Sequence, residues 1–256
     1  MSPFEALEDL VATLRSPTGC PWDQEQTPRS LRPYLIEEAH EVIDAIDSGD
    51  PGALRDELGD LLFQVLLLSQ ISSEMGAFDI HDVCASIRNK MIQRHPHVFD
   101  PNHEAEPDPG SIGAWEARKA RTRPKDQSML DGIPSSLPSL LTAHRVGEKV
   151  SRVGFDWPDI GGVRAKIEEE TLELEEAIAA NDPSAIAHEY GDLLLSMANL
   201  GRFLGVAPED CLREANARFA SRFRTVETLA KEADTSLHDM NIDALEKLWQ
   251  QAKEMV

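Results

Sequence analysis

The residues of this sequence best suited to chemistry are acidic pairs spaced three apart, and they occur in two matching sets. In each set a Glu-x-x-Glu pair is followed nineteen residues later (38 to 57, and 170 to 189) by a Glu-x-x-Asp pair. The members are Glu38, Glu41, Glu57 and Asp60 in the first set, and Glu170, Glu173, Glu189 and Asp192 in the second. Because carboxylates at helical spacing can bind metal ions or transfer protons, both sets are candidate sites.

Helical geometry predicts that the four acids of one set meet at one edge of a helix pair. Each residue turns a helix by about 100°, which places Glu38 about 60° and Glu41 about 120° to one side of the apolar stripe. Glu57 and Asp60 have the same offsets on the following helix. The short segment SGDPG predicts antiparallel neighbours, and reversing one helix makes equal offsets coincide.

Four carboxylates so close together repel one another, and a bound cation removes that repulsion. Oxygen ligands alone suit Mg²⁺ or Mn²⁺ better than Zn²⁺, which favours His and Cys. One Glu-x-x-Glu is ordinary on a solvated helix face, but two complete sets at one interval indicate a functional constraint. A di-iron carboxylate site is a rival because Glu37-x-x-His40 fits Glu-x-x-His, yet no second such motif is suitably placed.

The elements that must position these acids are helices, and the chain repeats them. Leu, Ala and Glu recur at helical spacing, whereas aromatic residues are 5% of the chain and no alternating Val, Ile and Thr run stands out. The repeat offset (182 − 50 = 132) aligns Asp50-Pro51 with Asp182-Pro183, and each Asp is predicted to cap the helix that its Pro begins. Gly59 and Gly191, inside the acidic helices, indicate a close approach by backbone or ligand.

The predicted fold is all-α, with two tandem helical modules that are four-helix-bundle-like. We place the first module at residues 1–100, a Pro- and charge-rich linker with one short helix at 101–137, and the second module at 138–256. The predicted helices cover approximately residues 4–15, 30–47, 52–74, 80–94, 111–122, 138–152, 163–180, 184–204, 208–233 and 241–254.

Composition narrows the classes of protein that fit this chain. Acids outnumber bases by 46 to 25, giving a net charge of −21 with no basic block, which argues against a general nucleic-acid surface. Cys20, Cys84 and Cys211 lie far apart without a CxxC motif, so we expect neither disulfides nor a zinc ribbon, and a reducing, cytoplasmic setting. The start MSPFEALEDL lacks signal-peptide features, and no apolar run approaches the ~20 residues that span a bilayer, so we expect a soluble protein without membrane contact.

The motifs resemble those of the MazG-type nucleoside triphosphate pyrophosphohydrolases. The pattern appears twice, as EEAHE…ELGD and as EETLE…EYGD. GCPWDQEQT, RHPHVF, SLPSLL, VGFDW and NARFASRF extend the resemblance to nearly the whole chain. It implies an all-α fold of two MazG modules, completed by dimerisation into a homodimer, and Mg²⁺-dependent hydrolysis of nucleoside triphosphates to the monophosphate and pyrophosphate.

The same resemblance implies that all eight acids are metal ligands. We expect the main active site in the second half, because its basic residues and VGFDW surround the acids more completely, whereas the first half is active, degenerate or chiefly structural. Glu37 and Glu169 support the metal ligands from behind, act as a base that orients water, or are merely exposed. Arg218 and Arg222, four apart on one helix face, are candidates for phosphate binding. Arg218 departs from the family pattern, in which Lys is expected, and this puts the geometry of phosphate binding in doubt.

Further substrate-binding candidates follow from position and residue type. Lys90 and Arg94 match the two arginines at an offset of 128 (218 − 90). Lys149 and Arg152 precede VGFDW, where they either line the same mouth or form a solvated helix face. In VGFDW itself, Phe155 and Trp157 either stack on a nucleotide base or pack into the core.

The resulting hypothesis is a pyrophosphohydrolase of ordinary or damaged (d)NTPs that cleans the nucleotide pool. Two other interpretations stay open: a non-catalytic module that binds nucleotide or metal for dimerisation or regulation, and a hydrolase limited to dUTP or to a non-nucleotide diphosphate. The acids cannot separate the last from the first, because they contact only phosphates. Base and sugar preference, and whether both modules turn over, do not follow from the sequence.

Overall fold

The computed structural model describes residues 1–103 and 128–255, together with Asp108, Gly110, Ser111, Gly113, Ala114 and Arg118. In this part of the chain every regular element is a helix, which confirms the predicted all-α class. The elements are α1 (Pro3–Arg15), α2 (Pro21–Glu25), α3 (Arg32–Ser48), α4 (Pro51–Glu74), α5 (Ile80–Arg94), α6 (Pro96–Phe99), α7 (Ser139–Ser151), α8 (Ile160–Ala180), α9 (Pro183–Leu204), α10 (Pro208–Glu232), a 3₁₀ turn (Leu237–Asp239) and α11 (Ile242–Met255).

Nine of the ten predicted helices agree with these bounds to within three residues. The sequence pattern missed α2 and α6, which have only five and four residues and each begin at a proline. The predicted linker helix at 111–122 lies largely outside the described residues. The chain divides into two compact units, Met1–Thr122 and Arg123–Val256, and each is described by itself.

In the first unit, α3 and α4 form a tight antiparallel pair, here called the first acidic hairpin. Gly49 ends α3 in the left-handed conformation (φ 68°), which glycine adopts without steric cost. Asp50 caps α4 as predicted, because its Oδ1 accepts a hydrogen bond from the Gly52 N–H at 2.8 Å. Pro51 occupies the first helical position, where no N–H is required.

The core of the first unit lies where α1 and α5 pack against the middle of α4. Its buried members are apolar residues of these helices together with Leu31, which directly precedes α3: Val11, Leu31, Leu66, Leu67, Ile71 and Ile80. An ion pair between Arg15 and Glu74, with Arg15 Nη2 2.6 Å from Glu74 Oε2, joins the ends of α1 and α4. The Arg15 guanidinium also lowers the pKa of Glu74 by donating hydrogen bonds to it. These contacts fix the helix that carries Glu57 and Asp60.

In the second unit, α8 and α9 form the equivalent pair, the second acidic hairpin. Asn181 ends α8 in the left-handed region (φ 53°), and Asp182 caps α9 by accepting hydrogen bonds from the N–H groups of Ser184 and Ala185 at 2.9 and 3.2 Å. Helix α7 packs against α9 at Gly147, where a Cβ atom would lie 2.2 Å from Asn199 Oδ1. A larger residue at this position would therefore force the Asn199 side chain to move.

Each acidic hairpin also has an apolar face that its own unit leaves exposed. On α9, large side chains follow a helical stripe: Tyr190, Leu194, Met197 and Leu204. On α4, Leu58 and Leu62 occupy the positions that match Tyr190 and Leu194, and both are exposed. Contiguous apolar surface of this kind marks an interaction site in a folded protein. No helix in the described part of the chain is long and apolar enough to span a membrane.

Candidate metal centres on the two acidic hairpins

The first acidic hairpin brings its predicted ligands to one edge of the helix pair. One carboxylate oxygen each from Glu38, Glu57 and Asp60 lies within 4.8 Å of the other two. Partial loss of hydration, followed by the charges of Glu41 and Asp60, raises the pKa of Glu57. Glu41 therefore belongs to the same electrostatic group, and the four acids are called the first cluster.

The first cluster includes a polar neighbour that the sequence did not identify. Gln64 is 7% exposed and its Nε2 donates a hydrogen bond to Glu38 Oε1 at 3.3 Å. Burial raises the pKa of Glu38; the hydrogen bond from Gln64 opposes this shift, and the charge of Asp60 adds to it. The other polar atom of the Gln64 side chain, the oxygen Oε1, is buried and accepts no hydrogen bond. Its helical position, one turn after Asp60, is the signal that could have identified it.

The second acidic hairpin forms two overlapping groups of acids, here called the second cluster. Oxygens of Glu170, Glu173 and Glu189 lie within 4.8 Å of one another, and so do ligand atoms of His188, Glu189 and Asp192. Glu189 belongs to both groups and therefore stands at the centre of the cluster. Partial loss of hydration, then the charges of Glu170 and Glu189, raises the pKa of Glu173.

Lys166 lies against the second cluster and was missed by the sequence analysis. Its Nζ is 2.7 Å from Glu170 Oε1 and 2.9 Å from Glu169 Oε1. Hydrogen bonds to Glu170 and Glu169 raise the pKa of Lys166, so it remains charged. Glu170 is only 3% exposed, and its second oxygen, Oε2, has no hydrogen-bond partner. Spacing of four from Lys166 to Glu170 was the available signal.

The donor atoms of both clusters fit a hard divalent cation. Carboxylate oxygens dominate both sets, and each set adjoins a buried oxygen without a donor, Gln64 Oε1 or Glu170 Oε2. Leaving such an atom unsatisfied costs about 1–3 kcal/mol. A cation, or water bound to one, supplies the missing partner and offsets the mutual repulsion of the acids.

Within the part of each unit that the structure describes, no neighbouring backbone comes close to the glycines that lie between the acids, Gly59 and Gly191. A Cβ atom added to Gly59 or to Gly191 would meet nothing within 4 Å among the described residues. No neighbouring backbone therefore requires glycine at either position, and the expected close approach by backbone is wrong for each separate unit. The open space beside both glycines remains accessible to a ligand.

Two of the predicted phosphate-binding residues, Arg218 and Lys149, contact groups outside the two clusters. Arg218 lies 3.8 Å from Glu214 Oε2, on the same helix, and Arg222 has a buried Nε without a partner. Lys149 donates a hydrogen bond to the Asp131 carbonyl at 2.7 Å. The remaining predicted cations are Arg152, which is exposed just after α7, Lys90, which is exposed on α5, and Arg94, which is half-buried near the end of α5. Within the described residues of a single chain, the ion pair of Arg218 is with Glu214 and not with an acid of the second cluster.

Aromatic side chains that could contact a nucleotide base occur in two places, in the VGFDW segment and on α10. Phe155 is 78% exposed, whereas Trp157 is half-buried against Gly162 at the start of α8. Beside the arginines of α10, Phe219 stacks on Phe223 with ring centroids 6.2 Å apart and lies 5.0 Å from Trp249 of α11. The sequence analysis did not identify this group, although Phe219 and Phe223 share one helix face.

Fold and site together define a class of protein: tandem all-α hairpins, each presenting a carboxylate cluster suited to divalent metal. Sequence comparison agrees, since the family described as MazG nucleotide pyrophosphohydrolase domain matches residues 26–99. The family described as phosphoribosyl-ATP pyrophosphohydrolase matches residues 152–219. The matched segments contain the first and the second acidic hairpin, respectively.

Individual relatives are similar over nearly the whole chain. The nucleoside triphosphate pyrophosphohydrolase/pyrophosphatase MazG of Thermotoga maritima is 45% identical over 252 residues, 98% of this chain and 95% of that protein. The nucleoside triphosphate pyrophosphohydrolase of Escherichia coli is 41% identical over 258 residues, 99% and 98% respectively. That of Mycolicibacterium smegmatis is 37% identical over 158 residues, 60% of this chain and 48% of that protein. The chain belongs to the MazG family.

Proposed function

We propose that the protein is a divalent-metal-dependent nucleoside triphosphate pyrophosphohydrolase that converts a (d)NTP and water to the (d)NMP and pyrophosphate. The observation that carries the proposal is the second cluster, in which acids surround a buried, unpartnered oxygen of Glu170. The names of the full-length relatives support the reaction. Clearance of unwanted nucleotides from the pool is the role that such a reaction serves.

Glu170, Glu173, Glu189 and Asp192 would hold the metal ion of the second cluster, and Glu38, Glu41, Glu57 and Asp60 that of the first. All-oxygen ligands favour Mg²⁺, with Mn²⁺ as an alternative. When bound, the cation neutralises phosphate charge and assists a water nucleophile.

The chain's own residues supply binding and proton transfer. Glu169 is exposed beside the cluster and accepts the proton of the attacking water. The water oxygen forms a bond to the α-phosphorus as the bond from that phosphorus to the bridging oxygen breaks, and pyrophosphate leaves. No side chain becomes covalently modified, because water is the nucleophile throughout.

Cationic side chains bind the triphosphate in this proposal. Arg218 and Arg222 contact phosphate oxygens, with Lys149 and Arg152 at the mouth of the site. Lys90 and Arg94 have the same role in the first module. Phe155 and Trp157 contact the base.

A homodimer completes the helical bundle in this proposal. The exposed stripe of Tyr190, Leu194 and Met197 lies on the helix that carries Glu189, and a second copy would bury it. The prediction of a cytoplasmic setting fits the three free cysteines.

The reaction is tested with purified full-length protein, one (d)NTP at a time, Mg²⁺ or Mn²⁺, and water enriched in ¹⁸O. We expect pyrophosphate and monophosphate in equal amounts, with the heavy oxygen in the monophosphate. Release of orthophosphate, or label in pyrophosphate, would contradict attack at the α-phosphorus. Binding of nucleotide and metal without any product would instead support the regulatory module.

The contribution of each module is tested with Glu57→Gln and Glu189→Gln, assayed across the eight common (d)NTPs and dUTP. Glu175→Gln is the matched control, because Glu175 is exposed on the same helix as Glu173 and lies outside the cluster. We expect Glu189→Gln to lose turnover with every substrate, while the control retains it. A panel in which only dUTP reacts would support the narrower hydrolase.

A further inference from the structure

The two clusters share their acids but differ in the charges beside them. At the repeat offset of 132, Lys166 matches Tyr34 (166 − 132 = 34) and His188 matches Asp56 (188 − 132 = 56). Both differences make the surroundings of the second cluster more positive. The two sites therefore have the same ligands in unequal electrostatic environments.

In the second cluster, basic groups contact the acids directly. Lys166 Nζ lies 2.7 Å from Glu170 Oε1, and the Lys166 side chain is 34% exposed. His188 Nε2 lies 3.4 Å from Asp192 Oδ2. Lys166 thus acts as an internal counter-ion for Glu170. A metal ion that binds there either displaces the Lys166 ammonium group or is repelled by it.

In the first cluster, the matching positions provide no such cation. Tyr34 contacts the ring of Trp22, with centroids 5.7 Å apart. Asp56 pairs with its neighbour Arg55 at 2.6 Å, and both side chains are well exposed. The group that contacts Glu38 is the neutral amide of Gln64. At these positions, therefore, no cationic side chain offsets the charge of the first cluster.

Each cluster also has a buried oxygen without a hydrogen-bond partner, and such an atom points to a bound cation. Glu170 is 97% buried (3% exposed) and its Oε2 has no partner, even though Lys166 occupies Oε1. Gln64 is 7% exposed, and its Oε1 is buried without a donor while its Nε2 holds Glu38. A metal ion can coordinate the first atom, and metal-bound water can donate to the second.

We propose, building on the metal sites of the proposed function, that the two modules bind divalent cations with unequal affinity. The first cluster binds the cation tightly in the absence of nucleotide. The second binds it weakly, because Lys166 already neutralises Glu170. Lys166 is the residue that sets this difference.

The test is a titration of the full-length protein with Mn²⁺ alone, in which free Mn²⁺ is measured by electron paramagnetic resonance. We expect two classes of site that differ by roughly tenfold or more, the effect of one charge about 6 Å from a divalent ion in a water-like dielectric. Glu57→Gln should weaken the tight class, and Glu189→Gln the weak class. A single class of equal sites, or the opposite assignment, would overturn the proposal.

Substitutions at Lys166 and at the matching Tyr34 test whether the charge at this position causes the difference in Mn²⁺ affinity. Lys166→Met should strengthen the weak class by roughly tenfold, whereas Lys166→Arg, the matched control, should leave it weak. Tyr34→Lys places an ammonium four residues before Glu38 and should weaken the tight class. Circular dichroism and melting temperature verify that each variant is folded. Unchanged Mn²⁺ binding in folded Lys166→Met and Tyr34→Lys would refute the role of this position.

Failure of this proposal is separable from failure of the proposed function. Mn²⁺ binding is measured without nucleotide, so the affinity difference stands or falls independently of the products. Two unequal classes together with orthophosphate release would leave the metal proposal intact and overturn the reaction. Metal sites of equal affinity, together with pyrophosphate release, would overturn the metal proposal and leave the reaction intact.

Discussion

Replacing Glu189 with Gln is the most direct test of the second cluster. Glu189 belongs to both groups of acids, so its carboxylate is the one that links Glu170 and Glu173 to Asp192. The substitution keeps the shape and one oxygen but removes the charge. We expect it to reduce metal affinity and turnover without unfolding the protein.

The magnitude follows from the distance between a ligand and a metal ion. A divalent ion about 2 Å from a carboxylate oxygen interacts with that unit charge by about 4 kcal/mol even at the dielectric of water. This energy corresponds to about three orders of magnitude in affinity. Because the amide oxygen of Gln still coordinates weakly, we expect a loss of about 10²-fold to 10³-fold in kcat/KM at limiting metal, partly recovered by excess metal.

The assay measures pyrophosphate release over a range of metal concentrations, with the metal-free melting temperature measured in parallel. The charge of Glu189 contributes to the raised pKa of Glu173, so in the variant that pKa should move down toward its ordinary value of 4.5. A carboxyl-detected NMR titration follows this shift. Full activity of the variant at limiting metal, with the Glu173 pKa unchanged, would refute the placement of Glu189 at the centre of the cluster.

Three further measurements test the fold and the electrostatics. Asp182→Ala removes the cap of α9 and should reduce the free energy of unfolding by about 1 kcal/mol in denaturant titrations; an unchanged midpoint would contradict this. In metal-free protein, Glu173 has a raised pKa in the folded state, so its contribution to stability is present below pH 4.5 and is lost as the pH rises through the raised value. Relative to Glu173→Gln, the wild type should therefore lose melting temperature as the pH rises above 4.5, and a constant difference would be inconsistent. Leu194→Glu places a charge in the exposed stripe and should convert a dimer to monomers in light scattering; an unchanged mass would exclude this face as the interface.

The long helices could be predicted from sequence because local signals and burial agree. Asp-Pro marks the start of α4 and of α9, and Gly49 or Asn181 marks the end of the preceding helix. Short α2 and α6 carry too few residues to show a periodic stripe. A four- or five-residue helix is set by tertiary contacts, which no window of sequence shows.

Within the site, spacing predicts which residues approach one another on a helix pair but not which of them is buried. The acids follow from helical geometry because their backbone positions decide it. The burial of Glu170 and the hydrogen bond from Gln64 to Glu38 depend on side-chain packing across the hairpin. The stacking of Phe219 near Trp249 joins residues thirty apart (249 − 219) and is likewise invisible to local pattern.

The tandem arrangement has a consequence for how these sites can diverge. In an assembly built from identical single-hairpin chains, any substitution would appear in every site at once. Here each hairpin is encoded separately within one polypeptide, so Tyr34 and Lys166 can differ while their acids stay the same. A single gene can therefore specialise one centre without altering its twin.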